Sequence, residues 1–340
     1  MSSRRHRWMR FVASGLLALA IALLVHAGGL ASWSMRASSG PSARYLHAMC
    51  TDTDRQRIVL FGGSGTDVLD DTWEWDGQKW DRMNPPGARP VARCLHAMAY
   101  DEQHHVTILY GGLDDDDDPL DDTWSWDGQR WRLLSTHGPN LYGHAMAYDA
   151  ARRRIVLFGG YEQNDDNPVE DETSDDTWLW NGSFWSKVSS DGPDGRWKHA
   201  MAYDALRQRV VLVGGEYINF DHGDSTYEVG EWDVRVLSDC WEWDGQHWTL
   251  RSDEQLEPLR GHAMAWDPNA GMVIMFGGHN DNHFIRRTRN CSVPELTTLA
   301  NDGPKARYGH AMAFDPVSRS VLVFGGKSTK RWKDTWGFDR

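Results

Sequence analysis

Short alternating stretches and short apolar runs follow one another along this chain at a constant distance. Six times a segment built on His-Ala-Met alternates small and large side chains, as in His96-Ala97-Met98-Ala99-Tyr100-Asp101. Six times a run rich in branched residues follows, as in Arg57-Ile58-Val59-Leu60-Phe61 or Arg209-Val210-Val211-Leu212-Val213. Period-two alternation and branched runs of this length predict short, buried β-strands. The His-Ala-Met copies begin at His47, His96, His144, His199, His262 and His310, and a Gly-Gly pair begins 15 residues after each. Beyond a loop of variable length come the pairs Trp73/Trp75, Trp124/Trp126, Trp178/Trp180 and Trp241/Trp243, with a further Trp five residues later at Trp80, Trp131, Trp185 and Trp248. Asp76-Gly77, Asp127-Gly128, Asn181-Gly182 and Asp244-Gly245 stand in between, and such pairs accept the positive φ of a hairpin turn.

Each unit of about 50 residues therefore reads as four strands. Strand a carries His-Ala-Met, strand b ends in Gly-Gly, strand c holds Trp-x-Trp and strand d holds the last Trp. On these motifs the sequence resembles the kelch-repeat β-propeller family over residues 28–340. The resemblance implies an all-β, six-bladed propeller of four-stranded blades, an architecture that hosts both binding scaffolds and enzymes. The sixth unit, ending in Asp334-Thr335-Trp336-Gly337-Phe338-Asp339-Arg340, has strands a to c without d. Trp33 stands 14 residues before His47, as Trp185 stands before His199. Residues 31–36 are thus expected to supply strand d of the last blade. Unit five departs from the pattern, with Leu296 at the strand d Trp position and Arg289-Asn290-Cys291 in place of Trp-x-Trp, so its blade should be the weakest.

Composition changes this picture in three places. The chain has 19 Trp beside 10 Phe and 10 Tyr. Fourteen fall at repeat positions and are read as blade packing, since residues i and i+2 of a strand share a face. That leaves Trp197, Trp232, Trp266 and Trp332, besides Trp8 near the start. Trp232 and Trp332, placed in loops, are the candidates for ligand contact. A net charge of −13 excludes nucleic acid as the main partner. The four Cys form no disulfide scaffold and no C-x-x-C pair, and are expected as mostly buried thiols.

The N-terminus reads separately. Arg4, Arg5, Arg7 and Arg10 precede an apolar run from Phe11 to Val25, the pattern of an export signal or, if uncleaved, a membrane anchor over residues 1–27. The protein is therefore expected to be exported, periplasmic or extracellular, with membrane contact only through residues 11–25. Without residues 1–27 the balance becomes 32 basic against 49 acidic residues, a net of −17.

Six His at one repeat position suggest metal, but one imidazole per blade around an axis leaves them too far apart for one ion. A hydrogen-bonded structural cluster with Arg44, Arg93, Arg196 and Arg307 is expected instead. The b-to-c loops carry the length variation, and variable loops on a repetitive frame are where binding resides. Their charges are segregated. Units two to four are acidic, with Asp115, Asp117, Asp165, Asp166 and Asp221 as candidate binding residues. Units five and six are basic, with Arg286, Arg287 and Arg289 followed by Lys327, Lys330, Arg331 and Lys333. Calcium is the one cofactor such carboxylates suggest, although no EF-hand loop is present. His279, Asp281 and His283 alternate as ligands would. No nucleophile and base arrangement emerges. The expected function is a monomeric, non-enzymatic scaffold binding protein or glycan through the loop face. The alternative is a carbohydrate-active enzyme at the central channel mouth. The set needed for a galactose-oxidase-like copper site is not placed in this sequence. A sialic acid epimerase-like site would draw on Arg260, Arg286 and Arg287.

Overall fold

A computed structural model describes residues 31–163, 172–221, 231–252, 256–292 and 296–340. The expected signal or anchor segment and the candidates Asp165 and Asp166 lie outside the described residues. Six antiparallel four-stranded sheets form the blades of one propeller. In the first blade, strands a to d are Ala48–Asp52, Arg57–Phe61, Thr72–Trp75 and Trp80–Met83. The a strands of successive blades contact one another around a closed ring, blade six against blade one. The strand of Ser32–Ala37 pairs with Thr335–Asp339, with Trp33 opposite Phe338, and so completes blade six from the other end of the chain.

The strand c and strand d Trp side chains pack against the preceding blade in chain order. Trp75 and Trp80 share one apolar cluster with Ala311, Ala313, Leu322 and Phe324 of blade six. The same hydrogen bond crosses five of the six seams. The strand d indole donates to the strand c threonine of the preceding blade, from Trp80 to Thr335, Trp131 to Thr72, Trp185 to Thr123, Trp248 to Thr177 and Trp33 to Thr288, at 2.9 to 3.0 Å. The seam between blades four and five differs on both sides at once. Cys240 stands where the threonine would be and Leu296 where the indole would be, and both join one apolar cluster with Cys291. Losing donor and acceptor together leaves neither group buried without a partner. All four cysteines are free and buried.

On the face where the d-to-a and b-to-c connections emerge, a second device repeats. Arg44 forks onto Asp71 and donates to the Gly62 carbonyl, and the same carboxylate accepts the Trp73 indole at 2.7 Å. Arg93 with Asp122 and Trp124, Arg196 with Asp239 and Trp241, and Arg307 with Asp334 and Trp336 repeat this arrangement. The arginines bind these aspartates and not the histidines with which they were expected to cluster. Blade three has Leu141 at the arginine position, and its Asp176 pairs instead with Lys187 at 2.6 Å. Blade five reverses the charges. Arg287 stands at the aspartate position, and both it and Arg289 reach Glu257 on the d-to-a connection, at 2.6 and 2.9 Å.

The six histidines lie over the Gly-Gly pair of the preceding blade. A Cβ on Gly62 would sit 2.6 Å from the Arg93 carbonyl and 3.1 Å from the His96 ring, and both Gly62 and Gly63 hold positive φ. Only glycine combines that backbone with that approach. Each imidazole stands beside the aromatic or apolar residue preceding that pair, as His47 does against Phe324. Burial drives all six histidines well below the ordinary histidine range, to about 4 for His144 and about 3 for His262 and His310.

Candidate functional site at the axial mouth of the loop face

The residue just before each histidine faces the axis. The amide of each donates to the carbonyl of the same position in the preceding blade: Leu95 to Leu46, Gly143 to Leu95, Lys198 to Gly143, Gly261 to Lys198, Gly309 to Gly261, and Leu46 back to Gly309, at 2.7 to 3.0 Å. All six residues sit at φ between 53 and 67°. This closed ring of backbone bonds narrows the axis on the loop face. On the other side of the ring the six a strands line a channel with Met, Ala and aromatic side chains.

Two more positions of the repeat surround the ring, because the residue two before each histidine bridges to the residue after each Gly-Gly. The pairs are Tyr45 with Ser64, Cys94 with Leu113, Tyr142 with Tyr161, Trp197 with Glu216, Arg260 with His279, and Tyr308 with Lys327. They form two aromatic walls. Tyr142, Tyr161 and Trp197 pack together on blades three and four. Opposite them, Tyr308 meets Tyr45 edge-on, lies 4.6 Å from His279 and stacks parallel to Phe284.

Charged groups lie between the walls. Arg260 pairs with Glu216, with Asp281 at 3.2 Å and with the His279 ring at 3.4 Å. Lys198 places its Nζ 3.2 Å from the centre of the Trp197 ring and 3.8 Å from Glu216. The indole face and the carboxylate attract its ammonium form. Burial and the Arg260 guanidinium oppose that form, and the amine is lowered to about 7. Burial, then Arg260, also lowers His279. Lys327 and Arg331 lie over the Tyr45 ring.

The residues singled out from the sequence surround this mouth unevenly. Arg260 is at its centre. Arg287 is held by Glu257, and Arg286 donates to the Gly303 and Pro304 carbonyls. Trp332 is half-buried at the seam between blades six and one, with Arg307 and Lys330 against its ring. Trp232 was expected in a loop but lies in a strand. The long connection of blade four is a ribbon in which Arg209–Asp221 pairs with Glu231–Trp243, with Trp232 opposite Phe220 and Asp221 opposite Glu231. Alternating apolar residues keep the pairing beyond Gly215, and Trp232 near the ribbon tip is 49% exposed.

The acidic sector is also present. Asp115 and Asp117 are exposed on a loop whose Asp114 carboxylate accepts the Asp116 and Asp118 amides. Glu162, Glu172, Asp175, Asp176 and Asp194 line a cleft of about 400 Å³ beside the blade-four ribbon. Burial and mutual repulsion raise Glu162 and Asp175. Among the described residues, no three His, Cys, Asp or Glu side chains are grouped to hold a metal ion.

Lys198, Glu216, Tyr45 and Tyr308 were missed from sequence. Their signal was available, since they occupy the repeat columns beside His-Ala-Met and Gly-Gly where residue type changes from blade to blade. The six sheets, the Gly-Gly ends and the axial ring define a kelch-type β-propeller. The model of the Attractin/LZTR1 β-propeller family matches residues 29–228, and the chain belongs to that family.

Proposed function

We propose that this protein is an exported, non-enzymatic scaffold that binds a protein or glycan through its loop face. One observation carries the reading. Side chains repeated from blade to blade are engaged in framework bonds, whereas aromatic and charged side chains from columns whose residue type changes along the ring converge on the loop-side axis. Partly exposed aromatic surface beside segregated charge suits a partner with an apolar or sugar-ring surface and charges of both signs. Arg286, Arg287 and Trp332 form the basic flank. Asp115, Asp117 and Trp232 stand on the acidic one, to which the sequence adds the candidates Asp165, Asp166 and Asp221. The expected state is a monomer, reaching the membrane only through residues 11–25, and calcium is the one cofactor the acidic loops suggest.

A glycan array and a cross-linking pull-down with the whole protein test the reading. The loop-face variants Phe284→Ala and Trp332→Ala should weaken capture at least about tenfold, the range expected for aromatic hot spots. Leu206→Ala, exposed on an a-to-b turn, should leave it unchanged. Equal capture by all three variants would overturn the assignment. The second reading, a carbohydrate-active enzyme of epimerase or oxidase type at the channel mouth, is favoured by Lys198, Glu216, Arg260 and His279 lying together. Turnover of free sugars, lost on Glu216→Gln, would select it.

A further inference from the structure

The axial ring requires a left-handed backbone at six positions. Glycine meets this freely at Gly143, Gly261 and Gly309, while Leu46 and Leu95 pack against the apolar cluster around Cys94 and Tyr142. Lys198 is the one ring residue with a reactive side chain. Non-glycine residues held in this conformation carry a cost, and such positions concentrate at functional sites. Its amine is fixed over Trp197, within reach of the Glu216 carboxylate and next to the Arg260 guanidinium, in a recess that leaves 23% of the lysine side chain exposed. Of the two carboxylate partners of Arg260, Glu216 is buried, whereas Asp281 is 72% exposed. The Asp281 contact is therefore the one that an incoming carboxylate can replace.

We infer that Lys198 is a covalent capture site for small α-oxo acids, binding their carbonyl carbon as an imine while Arg260 holds their carboxylate. The unprotonated amine adds to the carbonyl carbon, and Glu216 carries the proton from nitrogen to the carbinolamine oxygen. Loss of water then forms the C=N bond, with no oxidation or reduction. An amine titrating at about 7 is a competent nucleophile near neutral pH, with a free-base fraction roughly 10³ times that of an ordinary lysine. This chemistry goes beyond the scaffold role and does not depend on it.

The test is reductive trapping. The full chain is incubated with glyoxylate and cyanoborohydride, and the lysine peptides are followed by mass spectrometry. Carboxymethylation at Lys198 should exceed that at every other lysine by at least about tenfold and rise through a midpoint near pH 7. Lys198→Gly should abolish it with the melting temperature retained, since three glycines already hold the same ring position. Arg260→Gln should slow trapping of glyoxylate more than trapping of acetaldehyde, because only the former offers a carboxylate. Uniform labelling of all lysines, or equal loss with both aldehydes, would overturn the assignment.

Discussion

Trp33 donates its indole N–H to Thr288 Oγ1 at 2.9 Å across 255 positions of sequence. The same bond recurs at four other seams, from a strand d Trp to the threonine of the preceding blade. Trp33 thus fills the indole position of blade six, although strands a to c of that blade come from the opposite end of the chain. Its ring also lies 5.0 Å from Phe338 and 5.1 Å from Phe276, so the closing strand is joined to blades five and six together.

Trp33→Ala should therefore destabilise the whole ring, by about 3 to 5 kcal/mol, the usual cost of truncating a large packed aromatic. Met35, two residues on and 55% exposed, is the control, and Met35→Ala should stay within about 0.5 kcal/mol. Chemical denaturation curves decide the point. Equal midpoints for the two variants would refute closure by this strand.

At the seam between blades four and five, Cys240→Thr introduces a buried hydroxyl opposite Leu296 with no indole to donate to it. The expected loss is about 1 to 3 kcal/mol. Adding Leu296→Trp should recover part of it, giving a favourable coupling of at least about 0.5 kcal/mol in a double-mutant cycle. Strict additivity would mean that the two replacements are unrelated.

Arg93 is fully buried and forks onto Asp122. Burial pushes that carboxyl up, but the arginine and the Trp124 indole more than offset it and leave it below the ordinary range. Arg93→Ala strands the carboxylate and should cost about 3 to 5 kcal/mol. Thermal melts should show a smaller loss for Arg130→Ala, whose partner Asp127 lies on an exposed turn. Similar losses would argue against the framework role.

The six histidines set the acid limit. Each is lowered in the folded state, so as the pH falls below about 6.5 the unfolded chain takes up protons that the folded chain refuses. Stability should fall from there toward the folded values of about 3 to 4 seen for His144, His262 and His310. Above about 6.5 the histidines contribute no pH dependence. Each histidine adds up to about 1.4 kcal/mol per pH unit within the window. The depressed carboxyls of Asp71, Asp122 and Asp334 act in the same direction only at more acid pH, since their stabilising charge is lost as pH falls through their folded values. A melting temperature that is flat from pH 6.5 to 5 would contradict the buried, neutral assignment.

The frame was legible in the sequence because a repeat states its own geometry. Gly62-Gly63 marks where the chain leaves the sheet, Asp76-Gly77 marks a turn, and Trp75 and Trp80 mark the side that meets the neighbour. The blade-four ribbon was not legible, since pairing beyond Gly215 depends on Glu231–Leu237 returning in register after a long interval. The link between Cys240 and Leu296 was hidden as well. Each looked like an isolated departure until the seam joined them.

Sequence alone therefore determined the six blades, their strand order and the closing strand, all of which follow from side-chain patterns over a few residues copied at a constant period. Only the tertiary structure decided which charged and aromatic groups meet at the loop-side axis. Lys198, Glu216, Arg260 and Tyr308 belong to three different blades. They become neighbours because the left-handed ring residues, bonded amide to carbonyl around the axis, turn one column of every blade toward the same point.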